Sequence, residues 1–111
     1  MGTYEIKKSK SGAFMWNLKA GNHEVILTSQ QYKSKASAKK GIASVMANCS
    51  NPDRFESKVA RNKKPYFVLK SGNSQQIGKS EFYESAAACK NGIKSVTKNG
   101  ATSKIKDLTI G

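Results

Sequence analysis

Leu18-Lys19-Ala20-Gly21-Asn22 is followed by Ile26, Ser29, Tyr32 and Ser34, and then by Gly41-Ile42-Ala43-Ser44-Val45 and Asn48. Adding 51 to each number finds Leu69-Lys70-Ser71-Gly72-Asn73, Ile77, Ser80, Tyr83 and Ser85, then Gly92-Ile93-Lys94-Ser95-Val96 and Asn99. Between 16–49 and 67–100, 15 of 34 positions are identical without a gap. A period this strong marks an internal duplication, and it governs every later inference about the fold. One copy of about 50 residues is near the size at which a core becomes too small to hold by itself. The two copies must therefore share one core, and the 111 residues form a single domain.

Outward from the quoted stretch, Tyr4-Glu5-Ile6-Lys7 aligns with Phe55-Glu56-Ser57-Lys58, so each unit opens with a short strand. Lys8–Ala13 and Arg61–Lys64 read as turns. In Phe14–Lys19, a period of two puts Phe14, Trp16 and Leu18 on one face and Met15, Asn17 and Lys19 on the other. Pro65–Lys70 repeats this, with Phe67 and Leu69 inside. Gly21-Asn22 and Gly72-Asn73 are expected to supply the positive-φ positions of the next hairpins. Third strands are expected at Glu24–Ser29 and Gln75–Ser80, with Ile26 and Ile77 inside. On that register Val25 and Leu27 point away from the core.

Helices follow. Ser34 and Ser85 suit the N-cap, where a hydroxyl accepts from an open backbone N–H. Ala38, Gly41, Ile42 and Val45 fall at helical spacing, as do Cys89, Gly92, Ile93 and Val96. A glycine inside a helix costs about 1 kcal/mol against alanine, so Gly41 and Gly92 imply a close approach. Asn48 and Asn99 are expected to end the helices in a left-handed conformation. Ile105–Leu108 starts a third copy that is not finished. The fold expected is α+β: two tandem β3-α-β units, internal repeats 4–54 and 55–108, share one largely antiparallel sheet. Both helices lie on one face, and the units are related by a pseudo-two-fold axis.

The L-K-x-G-N hairpin, S-x-x-Y-x-S before the helix and G-I-x-S-V-x-x-N within it resemble the YegP-like family of small bacterial tandem-repeat proteins. The resemblance covers nearly the whole chain in both copies. It implies a single sheet with exchanged C-terminal strands, and it carries over no catalytic or binding residue. The chain departs from the family pattern at His23 and Ser74, where glycine is common after the hairpin asparagine.

The formal net charge is +13, which favours association with polyanions and opposes self-association. Cys49 and Cys89 do not align with each other, and His23 is the single histidine. Both cysteines are read as small apolar residues of a reduced compartment. No catalytic residue, metal set or cofactor is expected. Ser29 and Ser80 recur, but the histidine does not, so a repeated serine–histidine site is excluded. Glu5 and Glu56 recur singly, without the paired carboxylate that acid–base hydrolysis needs. No apolar run reaches the ~18 residues of a membrane span, and the N-terminus lacks a signal-peptide core. A cytoplasmic monomer with pseudo-dimeric internal symmetry and no membrane contact is expected.

The sheet face away from the helices is the expected binding face, carrying Met15, Asn17, Lys19, Tyr66, Val68 and Lys70. Aromatic and lysine residues together can stack bases and neutralise phosphates. The expected role is a binding or interaction module rather than an enzyme, with nucleic acid as the most concrete partner. The alternative is a structural or protein-interaction domain using the same open face.

Overall fold

A computed structural model describes residues 2–102 and 104–109. The first unit contains β1 (Thr3–Lys8), β2 (Phe14–Lys19), β3 (Val25–Ser29) and α1 (Lys35–Asn48). A 3-10 turn, Pro52–Arg54, leads to β4 (Phe55–Val59), β5 (Pro65–Lys70), β6 (Gln76–Lys79), α2 (Ala86–Asn99) and β7 (Ile105–Asp107). The strands form one sheet in the order β4-β5-β6-β3-β2-β1-β7. Every pairing is antiparallel except β1 with β7, which is parallel. The strand that ends the second unit thus closes the edge of the first. Ile105 pairs with Tyr4, and the Leu108 N–H donates to the Ile6 carbonyl at 2.9 Å.

The units meet where β3 pairs β6. Thr28 lies opposite Lys79, its own repeat equivalent, so the pseudo-two-fold axis passes through that pair. Leu27 and Gly78 are also equivalents, and they touch. A Cβ on Gly78 would stand 2.8 Å from Leu27 Cγ. Cys49 and Gly100 repeat the arrangement at the helix ends, where a Cβ on Gly100 would lie 2.9 Å from Cys49 Sγ.

Both helices cover the face that carries Trp16, Leu18, Phe67 and Leu69, all buried. The glycines allow the approach. A Cβ on Gly41 would collide with the Tyr32 hydroxyl and stand 3.0 Å from Trp16 Nε1. On Gly92 it would collide with the Tyr83 hydroxyl and stand 3.0 Å from Phe67 Cε2. Ser34 and Ser85 cap the helices, accepting from the N–H of Ser37 and Ala88 at 3.1 Å. Tyr4 donates its hydroxyl to the Gly100 carbonyl at 2.6 Å, and burial pushes that phenol's pKa up, so it remains a donor.

Three local expectations are corrected. Leu27 points inward and is fully buried, opposite Leu18. The register shifts between Leu18 and Lys19, so Val25 and Leu27 bracket an extra residue, Ile26, and both Ile26 and Leu27 join the core. Asn48 and Asn99 are helical rather than left-handed. Their amides turn back to the Ser44 and Ser95 carbonyls at 2.7 and 2.8 Å, and the caps Cys49 and Gly100 have φ of −67° and −65°. The positive-φ positions of the β2–β3 and β5–β6 hairpins are His23 and Ser74, both at 68°, rather than the Gly-Asn pairs. Asn22 is instead used for its side chain, which accepts from the Glu24 N–H at 3.1 Å.

Candidate polyanion-binding surfaces

Strand alternation places Lys19 and Lys70 on the open face, as the sequence implies. Each meets a carboxylate there. Lys19 Nζ is 3.1 Å from Glu5, and Lys70 pairs with Glu56. The two pairs are repeat equivalents, which explains why Glu5 and Glu56 recur. The Lys70 ammonium holds the Glu56 carboxyl below its usual range. Asn17 donates to Thr28 Oγ1 at 3.0 Å, and Val68 is buried beneath its neighbours although it lies outside the main core. Met15 is half-buried. Of the six residues expected to form the face, the two lysines are thus already matched by acids.

What the open face brings together is Tyr66, one of those six, with two residues outside the expected set. Tyr66 and Phe82 meet edge to face with centroids 5.5 Å apart. Lys79 Nζ lies 5.0 Å from the Tyr66 ring centre and 5.2 Å from that of Phe82. Phe82 is 47% exposed. It aligns with Gln31, so the repeat gives no signal for it, and it lies past the end of the alternating strand.

The helical layer carries lysines with no carboxylate of its own. α1 carries Lys35, Lys39 and Lys40, and α2 carries Lys90, Lys94 and Lys98, while neither helix contains Asp or Glu. Lys90, Lys94 and Lys98 recur every four residues and form one stripe. Among the described residues Lys35 is the one helix lysine with a salt-bridge partner, 2.9 Å from Asp107. The Thr109 hydroxyl and the Lys35 ammonium hold the Asp107 carboxyl down to about 2. A groove of ≈ 400 Å³ runs between α2 and the β2–β3 hairpin, lined by Asn22, Asn91, Lys94, Ser95 and Lys98. Amide, hydroxyl and ammonium donors line it together, which is a set suited to phosphate oxygens.

The recurring serines and tyrosines have structural partners. Ser29 Oγ accepts from the Trp16 N–H, and Ser80 Oγ from the Phe67 N–H, each at 2.9 Å. Tyr32 and Tyr83 cover the helix glycines. Cys49 and Cys89 are free and buried, and burial pushes both thiols' pKa up, away from reactivity. Among the described residues, no three of His, Cys, Asp and Glu are grouped to hold a metal ion.

A two-unit α+β sheet with an exchanged strand and a basic helical face defines a class of tandem-repeat domain. Residues 9–56 and 60–107 each match a family described as Domain of unknown function (DUF1508). The chain is 55% identical over 109 residues to a UPF0339 protein of Pasteurella multocida, covering 98% of this chain and 96% of that one. It is 54% identical over 110 residues to the UPF0339 protein YegP of Yersinia pestis, covering 99% and 98%. The solution NMR structure of a UPF0339 protein from Shewanella oneidensis superposes with a TM-score of 0.91 at 53% identity, over 96% of this chain and 91% of that one. That of YegP from Escherichia coli gives 0.91 at 48%, over 96% and 92%. The chain belongs to the UPF0339 (YegP) family.

Proposed function

We propose that this chain is a binding module whose helical layer contacts the phosphate backbone of nucleic acid. The observation that carries this reading is the distribution of charge. Of the six lysines on two helices that contain no carboxylate, Lys35 alone has a salt-bridge partner among the described residues, whereas on the sheet Lys19 and Lys70 are matched by glutamates and Lys79 sits against aromatic rings. Contacts of this kind read no bases, so binding is sequence-independent and falls steeply with salt. The aromatic pair Tyr66 and Phe82, with Lys79, supports a second reading in which the open face takes a single strand or a protein partner.

The test is a fluorescence-anisotropy titration of a labelled DNA duplex across a salt series. Lys94→Gln with Lys98→Gln weakens binding more than Lys19→Gln with Lys70→Gln, although both pairs remove the same formal charge. The helical pair also lowers the log–log salt slope by roughly 2, as two phosphate contacts are lost. Equal losses from both pairs, or no binding at low salt, overturn the reading. A loss confined to Phe82→Ala moves the site to the open face.

A further inference from the structure

β1 and β4 are repeat equivalents, yet they are not treated alike. β1 has β2 on one side and β7 on the other, whereas β4 has β5 and, among the described residues, no strand beyond it. The cause is in the chain path. β4 is at once the strand that follows α1 and the strand that opens the second unit, so the position that β7 fills beside β1 has no occupant beside β4. That edge is short and carries Glu56 and Lys58, but it keeps outward hydrogen-bonding groups. Ladder alternation turns the N–H groups of Ser57 and Val59 outward, as it turns the Tyr4 N–H toward the Lys104 carbonyl at 2.9 Å. Among the described residues, the Phe55 N–H alone of these is already used, donating to the Pro52 carbonyl. Val59 is 69% exposed.

A groove of ≈ 260 Å³ lies along this edge beneath the start of α2, lined by Ser57, Val59, Pro65, Ala86, Cys89 and Lys90. We propose that the free edge of β4 is a strand-addition site for an extended segment of another protein. The segment runs parallel to β4, places an apolar residue in the groove, and carries an acidic residue opposite Ser57. Direction and register follow from β7, which pairs in parallel with Tyr4, Glu5 and Ile6, the equivalents of Phe55, Glu56 and Ser57. The acidic residue follows from Asp107, which sits opposite Ile6 and reaches Lys35 in the first turn of α1. In α2 the equivalent of Lys35 is Ala86, and the nearest ammonium is Lys90, one turn farther on, with no salt-bridge partner among the described residues. A second copy of this chain is a poor occupant. Its C-terminal strand is already paired with β1, and two chains of net charge +13 repel. Main-chain bonds give such a complex its affinity, and the groove and Lys90 give it selectivity.

The probe is the hexapeptide acetyl-Gln-Ile-Lys-Asp-Leu-Val-amide, patterned on residues 104–109. Titrated into the full chain and followed by NMR, it shifts signals of β4 and the first turns of α2. It also slows hydrogen exchange at Ser57 and Val59. Lys90→Glu, an exposed change, weakens binding about tenfold, as does Asp→Asn in the peptide, the effect of one charge-assisted contact. Methylating the peptide's lysine backbone nitrogen removes the donor that faces the Phe55 carbonyl and abolishes binding. No shift at saturating peptide, shifts away from β4 and α2, or equal binding of the N-methyl peptide overturns the proposal. Concentration-dependent protection of β4 without peptide also overturns it, by making a second copy the occupant.

Discussion

Leu27 and Gly78 hold the same place in the two repeats and are in contact, because the space that a side chain on Gly78 would need is filled by Leu27. Across a pseudo-two-fold axis, two leucines would overlap and two glycines would leave a void. Gly78→Ala is expected to destabilise the chain by about 1–3 kcal/mol through overpacking. Leu27→Ala costs about 2–5 kcal/mol through the cavity it opens. The double variant is expected to cost less than the sum of the singles, since the new methyl group occupies part of the cavity. Urea unfolding of all four proteins measures the coupling.

The hairpin turns offer stabilising changes. His23, Lys63 and Ser74 have φ of 68°, 65° and 68°, and Gly12, the equivalent of Lys63, has 86°. Each closes a loop with a matching pair of bonds. In the first hairpin Ser9 N–H donates to the Ala13 carbonyl, and in the second Ala20 N–H donates to the Glu24 carbonyl. A left-handed residue other than glycine costs about 1–2 kcal/mol, and glycine's extra unfolded-state freedom returns part of that. His23→Gly, Lys63→Gly and Ser74→Gly are each expected to raise stability by about 0.5–1 kcal/mol. A fall in melting temperature for all three would show that these loops are not strained.

The glycines under the tyrosines behave in the reverse way. Gly92→Ala improves helix propensity by about 1 kcal/mol but drives a methyl group into the Tyr83 hydroxyl and against Phe67. A net loss of about 1–3 kcal/mol is expected. Chemical denaturation of Gly92→Ala, with Lys90→Ala as an exposed control in the same helix, reads the sign.

Acid stability reports on the exchanged strand. Asp107 has its pKa lowered from 3.8 to about 2 in the folded chain, chiefly by the Thr109 hydroxyl and then by Lys35. A carboxyl depressed on folding stabilises above its unfolded pKa, and that contribution is lost as pH falls through the folded value. The Asp107 contribution is therefore full above about pH 4 and fades toward pH 2. Asp107→Asn is expected to flatten the fall in melting temperature over that window. An unchanged slope would mean that the strand is not held by this pair.

The period of 51 carries most of the architecture, because equivalent residues such as Ser29 and Ser80, or Gly41 and Gly92, must do the same job twice. It fails where a cause is not repeated or not local. The extra residue at Ile26 breaks strict alternation, so Leu27 reads as outward from the strand pattern alone. The Glu5–Lys19 pair joins neighbouring strands and depends on a register that the sequence does not show. Phe82 has no counterpart in the first copy. The basic helical face is visible as spacing in Lys90, Lys94 and Lys98, but its contrast with the sheet needs the ion pairs.

Cys49 against Gly100 has a consequence for ancestry and for splitting the chain. Two identical halves built on the first copy would oppose cysteine to cysteine and leucine to leucine. Two built on the second would face glycine with glycine at both points. Each half has become the fitted complement of the other. Expressed apart, they should select one another over themselves, which would leave a protein that began as two like parts able to rebuild itself only as an unlike pair.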